Sequence, residues 1–507
     1  MAEDFLLTRE AHIQADEPNQ ENADWLRGFL GIPNNAGKGE IFIRLETVGS
    51  DDLPADSTEG YVLTIDPQGI RIRAPHPSGV FHGLQTLRQL LPSACEQGVP
   101  LPEQGWRLPG LHLRDWPRFA WRGFMLDDSR HFHGLDTVKR YLDLMALLKL
   151  NTFHWHLTDD QGWRVQVQRF PNLTETGAWR SASARDFFGR TDGKPHGGFY
   201  TREEIGELVE YARLRHITVV PEVDLPGHAN AALASYPHLG CTGGPYQVAQ
   251  RIGILPDLLC GGRESTYEFI EALLDEILPL FPCPWFHVGG DETPLKRWRL
   301  CPDCQERIQR EHLDGEAGLK VYFINRLADM LAKRGKTLIG YSEVLKPGLA
   351  RQAVVQHWVG KPATLIKSIR EGRRVIMSTY MQAYLDHSYA LTPLSQAYGY
   401  EPLLPGLEAG LQANVLGLEA LLWSEFVPDR PRLDYQVFPR LCAYAETGWT
   451  SRETKDLSDF QRRLAGFESR LDAMGIAYAR PWQAQPPWFK LLFGLFSIAQ
   501  PQRDVAD

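Results

Sequence analysis

Two acidic residues stand side by side in the stretch WFHVGGDET, residues 285–293, where Asp291 and Glu292 follow a pair of glycines. A carboxyl pair can divide its work, one group giving a proton while the other stays charged and stabilises a developing cation. Enzymes that cleave glycosidic bonds with two protein carboxylates set them about 5–5.5 Å apart when one is a nucleophile, and about 6.5–9.5 Å apart when one activates water. In both cases the two groups flank the sugar. Neighbours on a strand normally point to opposite sides of the sheet. Beyond Gly289-Gly290 the backbone can leave that alternation, so both side chains can enter one pocket, but from one wall. One can then protonate a leaving oxygen, and the other needs a different task. A substrate carrying its own nucleophile resolves this. A 2-acetamido sugar is such a substrate, because its carbonyl oxygen can attack C1.

The elements that must position this pair are legible from about residue 116 onward. Short apolar strands are expected at 123–126, 152–157, 218–223, 285–288, 337–340, 354–357, 375–378 and 415–423. Helical periodicity falls between them, over 135–148, 202–214, 266–278, 318–332, 362–371 and 435–445. Strands alternating with crossover helices predict a (β/α)8 barrel, whose active site forms where the strands end. Those ends are crowded with polar and aromatic groups. They supply Asp127, Asp128, Arg130 and His131, then Asp159, Asp160, Trp163 and Arg164, then Glu222, Asp224 and His228. After Asp291 and Glu292 come Trp358, Tyr384 and Asp386, and finally Trp423, Ser424 and Glu425. Asp127, Asp128, Asp160, Arg164 and Glu222 fit structural ion pairs at the barrel rim at least as well as catalytic roles. Residues 1–115 read as a separate small α/β domain, with strands near 41–45, 61–65 and 70–73 and a helix over 79–91. The barrel is expected over 116–485, followed by an apolar tail over 486–507.

Composition narrows the partners. The net charge of −9 (54 basic against 63 acidic residues) argues against nucleic acid, which needs a basic face. No run is long and apolar enough for a transmembrane helix. The start, MAEDFLLTRE, lacks the basic and apolar regions of a signal peptide, which favours the cytoplasm.

HVGGDE, taken with LDDSRHF, HLTDDQGWR, PEVDLPGH, YLD and LWSE in this order, resembles glycoside hydrolase family 20, the β-N-acetylhexosaminidases. The resemblance covers roughly residues 1–480, the small first domain included. It implies an exo-acting, retaining enzyme that removes terminal β-linked GlcNAc or GalNAc through an oxazolinium intermediate, with no cofactor. By resemblance Glu292 is the general acid and base, and Asp291 orients the acetamido group. Tyr384 would bond the acetamido oxygen, and Trp358 and Trp423 would wall its pocket. Arg130, Asp386 and Glu425 would hold sugar hydroxyls, and Asp159 and His228 would form a polar pair beside Glu292. The family's usual Trp after the fifth strand is replaced here by Tyr341, which would still line the pocket with a smaller ring. A wider substrate range or transfer to acceptors other than water are the variants this change suggests, and a family member specialised for disaccharide release or transglycosylation is the alternative reading.

Other features carry rival readings. Cys301 and Cys304 have zinc-knuckle spacing, but a structural zinc needs four ligands, and no second pair lies nearby in the sequence. A helix-start turn is therefore expected there, and no metal. Cys241 and Cys260 are expected as free thiols in a reducing compartment, or as a bridge, by resemblance, in an exported protein. His154, His156, Asp159, His228 and His287 could instead hold a catalytic metal in a barrel hydrolase. The apolar tail at 488–500 is expected to pack on the barrel or on a second copy in a homodimer, with membrane-surface attachment as the other reading.

Overall fold

The barrel closes. In the computed structural model, which describes residues 4–32, 42–49, 53–54, 57–186 and 188–487, eight parallel strands run in chain order around a closed sheet. The first domain precedes them. Its five-stranded sheet contains β1 (His12–Ala15), β2 (Phe42–Thr47), β3 (Tyr61–Asp66), β4 (Gly69–Ala74) and β5 (Leu111–Asp115), in the order β1-β2-β4-β3-β5. Helices α1 (Gln20–Leu30) and α2 (Pro77–Leu90) contribute buried apolar residues to the core of this domain, where Ile43, Leu45, Leu63, Ile70 and Ile72 alternate along the strands. That alternation is the signature of a sheet with one face in a core.

The barrel strands are β6 (Trp121–Asp127), β7 (Thr152–His156), β8 (Thr218–Glu222), β9 (Trp285–His287), β10 (Thr337–Tyr341), β11 (Val354–His357), β12 (Val375–Met377) and β13 (Val415–Leu422). Each lies within two residues of its expected position. The helices α3 (Leu135–Leu147), α4 (Arg202–Arg213), α5 (Glu264–Ile277), α6 (Pro302–Arg310), α7 (Gly315–Ala332) and α8 (Pro362–Arg370) follow the pattern of apolar stripes. Two details differ from the sequence reading. The expected helix over 435–445 is two helices, Arg430–Val437 and Arg440–Trp449, with Phe438-Pro439 between them. A proline has no N–H to continue the ladder. Strands β1 and β5 and helix α1 were not anticipated.

Outward residues of the barrel strands, such as Phe153 and Trp155 on β7, are buried in the main apolar core. Inward residues build something else. His154, Glu222, His287, Gln356 and Glu419 are all fully buried and bonded to one another inside the barrel. A barrel interior is normally filled by branched apolar side chains; here a polar layer takes much of that place, beside a small apolar cluster of Met125, Leu421 and Tyr384. The apolar tail falls almost entirely outside the described residues. No helix among the described residues is long and apolar enough to cross a membrane.

Candidate active site

The turn after β9 explains how two adjacent carboxylates share a pocket. Gly289 and Gly290 both have positive φ, +61° and +82°. A Cβ on Gly289 would lie 1.9 Å from Asp224 Oδ1, so only glycine fits against that carboxylate. The Gly290 N–H donates to Asp224 Oδ1 at 3.0 Å, and the Tyr341 N–H to the Gly289 carbonyl at 2.8 Å. Glu292 itself takes a left-handed conformation, φ 38°. For a residue with a long side chain this is strain held by its surroundings, and such strain concentrates at functional positions. The consequence is two carboxylates on one wall with different environments. Asp291 is 8% exposed, whereas the Glu292 side chain is 35% exposed.

One oxygen of Asp291, one of Glu292 and a ring nitrogen of His228 all lie within 4.8 Å of one another. His228 Nε2 is 3.6 Å from Glu292 Oε2, and its Nδ1 is 3.2 Å from Asp159 Oδ1 and 3.3 Å from Asp160 Oδ2. Burial works against a charged His228, but the Asp159 carboxylate outweighs it and holds the imidazole well above its ordinary pKa. Burial likewise disfavours charge on Asp159, yet Arg130 and His228 keep its carboxyl well below the usual range. Arg130 Nη2 meets Asp159 Oδ2 at 2.8 Å, and its guanidinium lies 4.9 Å from the Trp423 ring centre. A continuous chain of alternating charge thus runs from Arg130 through Asp159 and His228 to Glu292.

The cavity beside this chain has a volume of about 320 Å³ and is lined by Arg130, His228, Asp291, Glu292, Trp358, Tyr384, Asp386, Trp423 and Glu425, among others. Tyr384 packs between Trp358 and Trp423, ring centres 6.2 and 6.3 Å away. The Trp358 N–H donates to Glu343 at 2.9 Å, which fixes the ring. Two buried oxygens facing this region, Asp291 Oδ1 and Asp386 Oδ1, have no hydrogen-bond partner among the described residues. Buried oxygens without partners are costly, so both are suited to a polar ligand. Burial, with Glu425 adding to it, pushes Asp386 up to about 8. Burial also raises Asp291, with Glu222 and Glu292 reinforcing it against His228.

Most expected site residues therefore converge. Asp159 stands behind the wall rather than on it. Tyr341 is placed differently from expectation. It is absent from the cavity lining and lies under Trp423, with its hydroxyl donating to Glu222 Oε2 at 3.2 Å inside the barrel. The added hydroxyl found a buried acceptor below the floor. Tyr380, Tyr435 and Gln436 also line the cavity and were not singled out. Tyr380 precedes Tyr384 by one helical turn, which was the available signal. The suspected rim residues are structural. Asp128 accepts from Trp155 at 2.8 Å and Tyr200 at 2.6 Å, and Arg164 donates to four backbone carbonyls. Asp127 accepts the N–H groups of Ser129, Arg130 and Ser424.

The five groups of the metal reading do not meet at one point. His154 and His287 lie at 3.0 Å from Glu222 inside the barrel, and His156 sits 2.6 Å from the same carboxylate. Of these groups only His228 reaches the cavity. An ion held by the inner histidines would not touch a substrate there.

Charged and aromatic side chains at the strand ends of a (β/α)8 barrel, with a half-buried acid beside a buried carboxylate, form the kind of site that glycoside hydrolases carry. Residues 119–452 match the catalytic domain of glycosyl hydrolase family 20, and residues 1–116 match that family's domain 2. The chain belongs to glycosyl hydrolase family 20. It is 42% identical over 457 residues to a beta-hexosaminidase of Porphyromonas gingivalis, an overlap of 87% of this chain and 57% of that protein. The chain thus spans little more than half the length of that relative. A Vibrio furnissii beta-hexosaminidase is 34% identical over 88% of this chain and 74% of its own. The Streptomyces coelicolor family 20 β-N-acetylhexosaminidase structure superposes with a TM-score of 0.82 at 34% identity, covering 96% of both chains. A Vibrio harveyi exo β-N-acetylglucosaminidase, solved with N-acetylglucosamine, gives 0.82 at 32% identity over 95% of this chain and 77% of that one.

Proposed function

We propose that the protein is an exo-acting, retaining β-N-acetylhexosaminidase that removes one terminal β-linked N-acetylhexosamine with the substrate's own acetamido group as nucleophile. The observation that carries this reading is the Asp291–Glu292 wall, with carboxyl oxygens within 4.8 Å and an unpartnered Asp291 oxygen. Two groups on one wall cannot flank the anomeric carbon, so the attacking atom comes from the substrate.

Glu292 gives its proton to the glycosidic oxygen as the C1–O bond breaks, and the acetamido carbonyl oxygen bonds to C1. Asp291 accepts the acetamido N–H and stabilises the positive oxazolinium. Tyr384 holds the acetamido oxygen, between the Trp358 and Trp423 rings. Glu292 then takes a proton from water, which attacks C1 from the side the leaving group vacated and opens the ring with net retention. His228 Nε2 stands 3.6 Å from Glu292 Oε2 and braces the carboxyl on the wall. Arg130, Asp386 and Glu425 hold the hydroxyls of the terminal sugar, closing the pocket to one residue. The Vibrio harveyi relative's complex with N-acetylglucosamine supports a pocket of this kind.

The test compares 4-nitrophenyl β-N-acetylglucosaminide with 4-nitrophenyl β-glucoside and follows the first-formed anomer by NMR. Cleavage of the acetamido sugar alone, with the β-anomer formed first, is expected. Comparable cleavage of the plain glucoside would refute the internal nucleophile.

A further inference from the structure

Cys301 and Cys304 gain in space the second pair they lack in nearby sequence. Cys241 and Cys260 reach them from the long loop that follows β8, while Cys301 and Cys304 open α6, beyond the catalytic turn. The sulfur of Cys260 lies 3.6 Å from that of Cys304 and 3.7 Å from that of Cys301. Cys241 and Cys304 are 3.9 Å apart, and all four sulfurs lie within 4.8 Å of one another. We propose that these four cysteines bind one structural Zn²⁺ ion that staples the loop after β8 to the loop after β9.

The spacing supports a shared ion. A tetrahedral zinc with Zn–S bonds of about 2.3 Å places its ligands about 3.8 Å apart, since the edge of a tetrahedron is about 1.63 times the centre-to-corner distance. The three sulfur separations fall on either side of that value. A disulfide joins sulfurs two by two at about 2.05 Å, whereas Cys260 here is nearly equidistant from two others. All seven cysteines are unbridged in the structure.

The surrounding backbone is built to the same purpose. Gly262 permits the two loops to close on each other. A Cβ there would lie 2.2 Å from the Asp303 carbonyl carbon and 2.3 Å from the Cys304 nitrogen. Arg263 donates to Asp303 at 2.6 Å and to the His238 and Gly240 carbonyls at 2.9 and 3.1 Å, which fastens the two loops around the cluster. Cys260, Cys301 and Cys304 are buried and Cys241 is half-buried.

An all-sulfur set favours zinc over calcium or magnesium, which take oxygen. Four protein ligands leave no open position, so the site is structural. Its loops also touch directly. The Leu259 N–H donates to the Pro226 carbonyl at 3.0 Å, and the Trp298 N–H to the Leu259 carbonyl at 2.9 Å. Through these contacts the staple ties the segment carrying His228 to the segment that follows Glu292.

Elemental analysis of the purified full chain, from zinc-replete growth and without added metal, is expected to give one zinc per chain. Titration of its thiols with an organomercurial should release that zinc to a chromogenic chelator. Cobalt exchange into the unmodified protein should give the visible bands of a tetrahedral thiolate site, a readout that needs no variant to fold. Cys304→Ser and Cys241→Ser should lose the zinc, and Cys283→Ser, remote from the cluster, should keep it. Background zinc, pairwise disulfides among these four residues in non-reduced peptides, or one equivalent of iron in place of zinc would each overturn the assignment.

Discussion

Replacing Asp291 with Asn and Glu292 with Gln separates two roles that sit on neighbouring residues. Asp291 is buried, and the charge it faces forms on the oxazolinium of the bound sugar. Two unit charges about 4 Å apart at an effective dielectric of about 20 interact by about 4 kcal/mol. Losing that attraction should lower kcat/KM by about 10³-fold, since each 1.4 kcal/mol or so is tenfold. The loss should be nearly the same for every leaving group, because the ring closes whatever departs. Glu292 acts on the departing oxygen instead. Glu292→Gln should cost about 10²–10⁴-fold on a GlcNAc disaccharide, where protonation is needed, and less than about tenfold on a 2,4-dinitrophenyl glycoside, where it is not. The assay is kcat/KM for both variants over a series of aryl leaving groups, with thermal unfolding to check that each variant is folded. Wild type and Asp291→Asn should give parallel lines against leaving-group pKa, and Glu292→Gln a steeper one. Equal steepening in both variants would refute the division of labour and the reasoning from environment behind it.

Asp386, pushed up to about 8 from an ordinary 3.8 by burial and Glu425, contributes most to stability when protonated below the unfolded value, and this contribution fades as pH rises from about 4 to 8. Asp386→Asn should flatten that slope and raise stability at pH 8 by about 1–2 kcal/mol in denaturant titrations, while weakening substrate binding. Glu222→Gln should destabilise the barrel by about 3–5 kcal/mol, because it leaves buried imidazoles without their anion. Burial opposes charge on His154, but Glu419 and Glu222 hold it up at about 9, so the stabilisation is complete below 6.5 and lost as pH rises through 9. The deficit of the variant should accordingly be largest in acid and shrink toward pH 9, and a pH-independent deficit would count against the ion-pair account.

The local sequence determined the framework. Period-two apolar runs and helical stripes placed all eight barrel strands to within two residues, because strand and helix periodicities follow from backbone geometry. The glycines before Asp291 announced a break in strand alternation, and most of the polar groups at strand ends did gather in one cavity. Single side chains were less legible, since their direction depends on what the rest of the fold offers. Tyr341 was expected to line the pocket, yet its hydroxyl turns down to Glu222 on another strand. His154, His156 and His287 looked like metal ligands in the sequence, and the barrel gives them Glu222 and Glu419 as partners instead. The left-handed backbone at Glu292 follows two glycines pressed against Asp224 and Val344, contacts that only the fold supplies. The four cysteines show the limit most plainly. Their spacing along the chain gives one pair of zinc-knuckle type and one pair far from it in sequence, and only the closure of the barrel, which sets the loops after β8 and β9 side by side, brings the four sulfurs within 4.8 Å of one another.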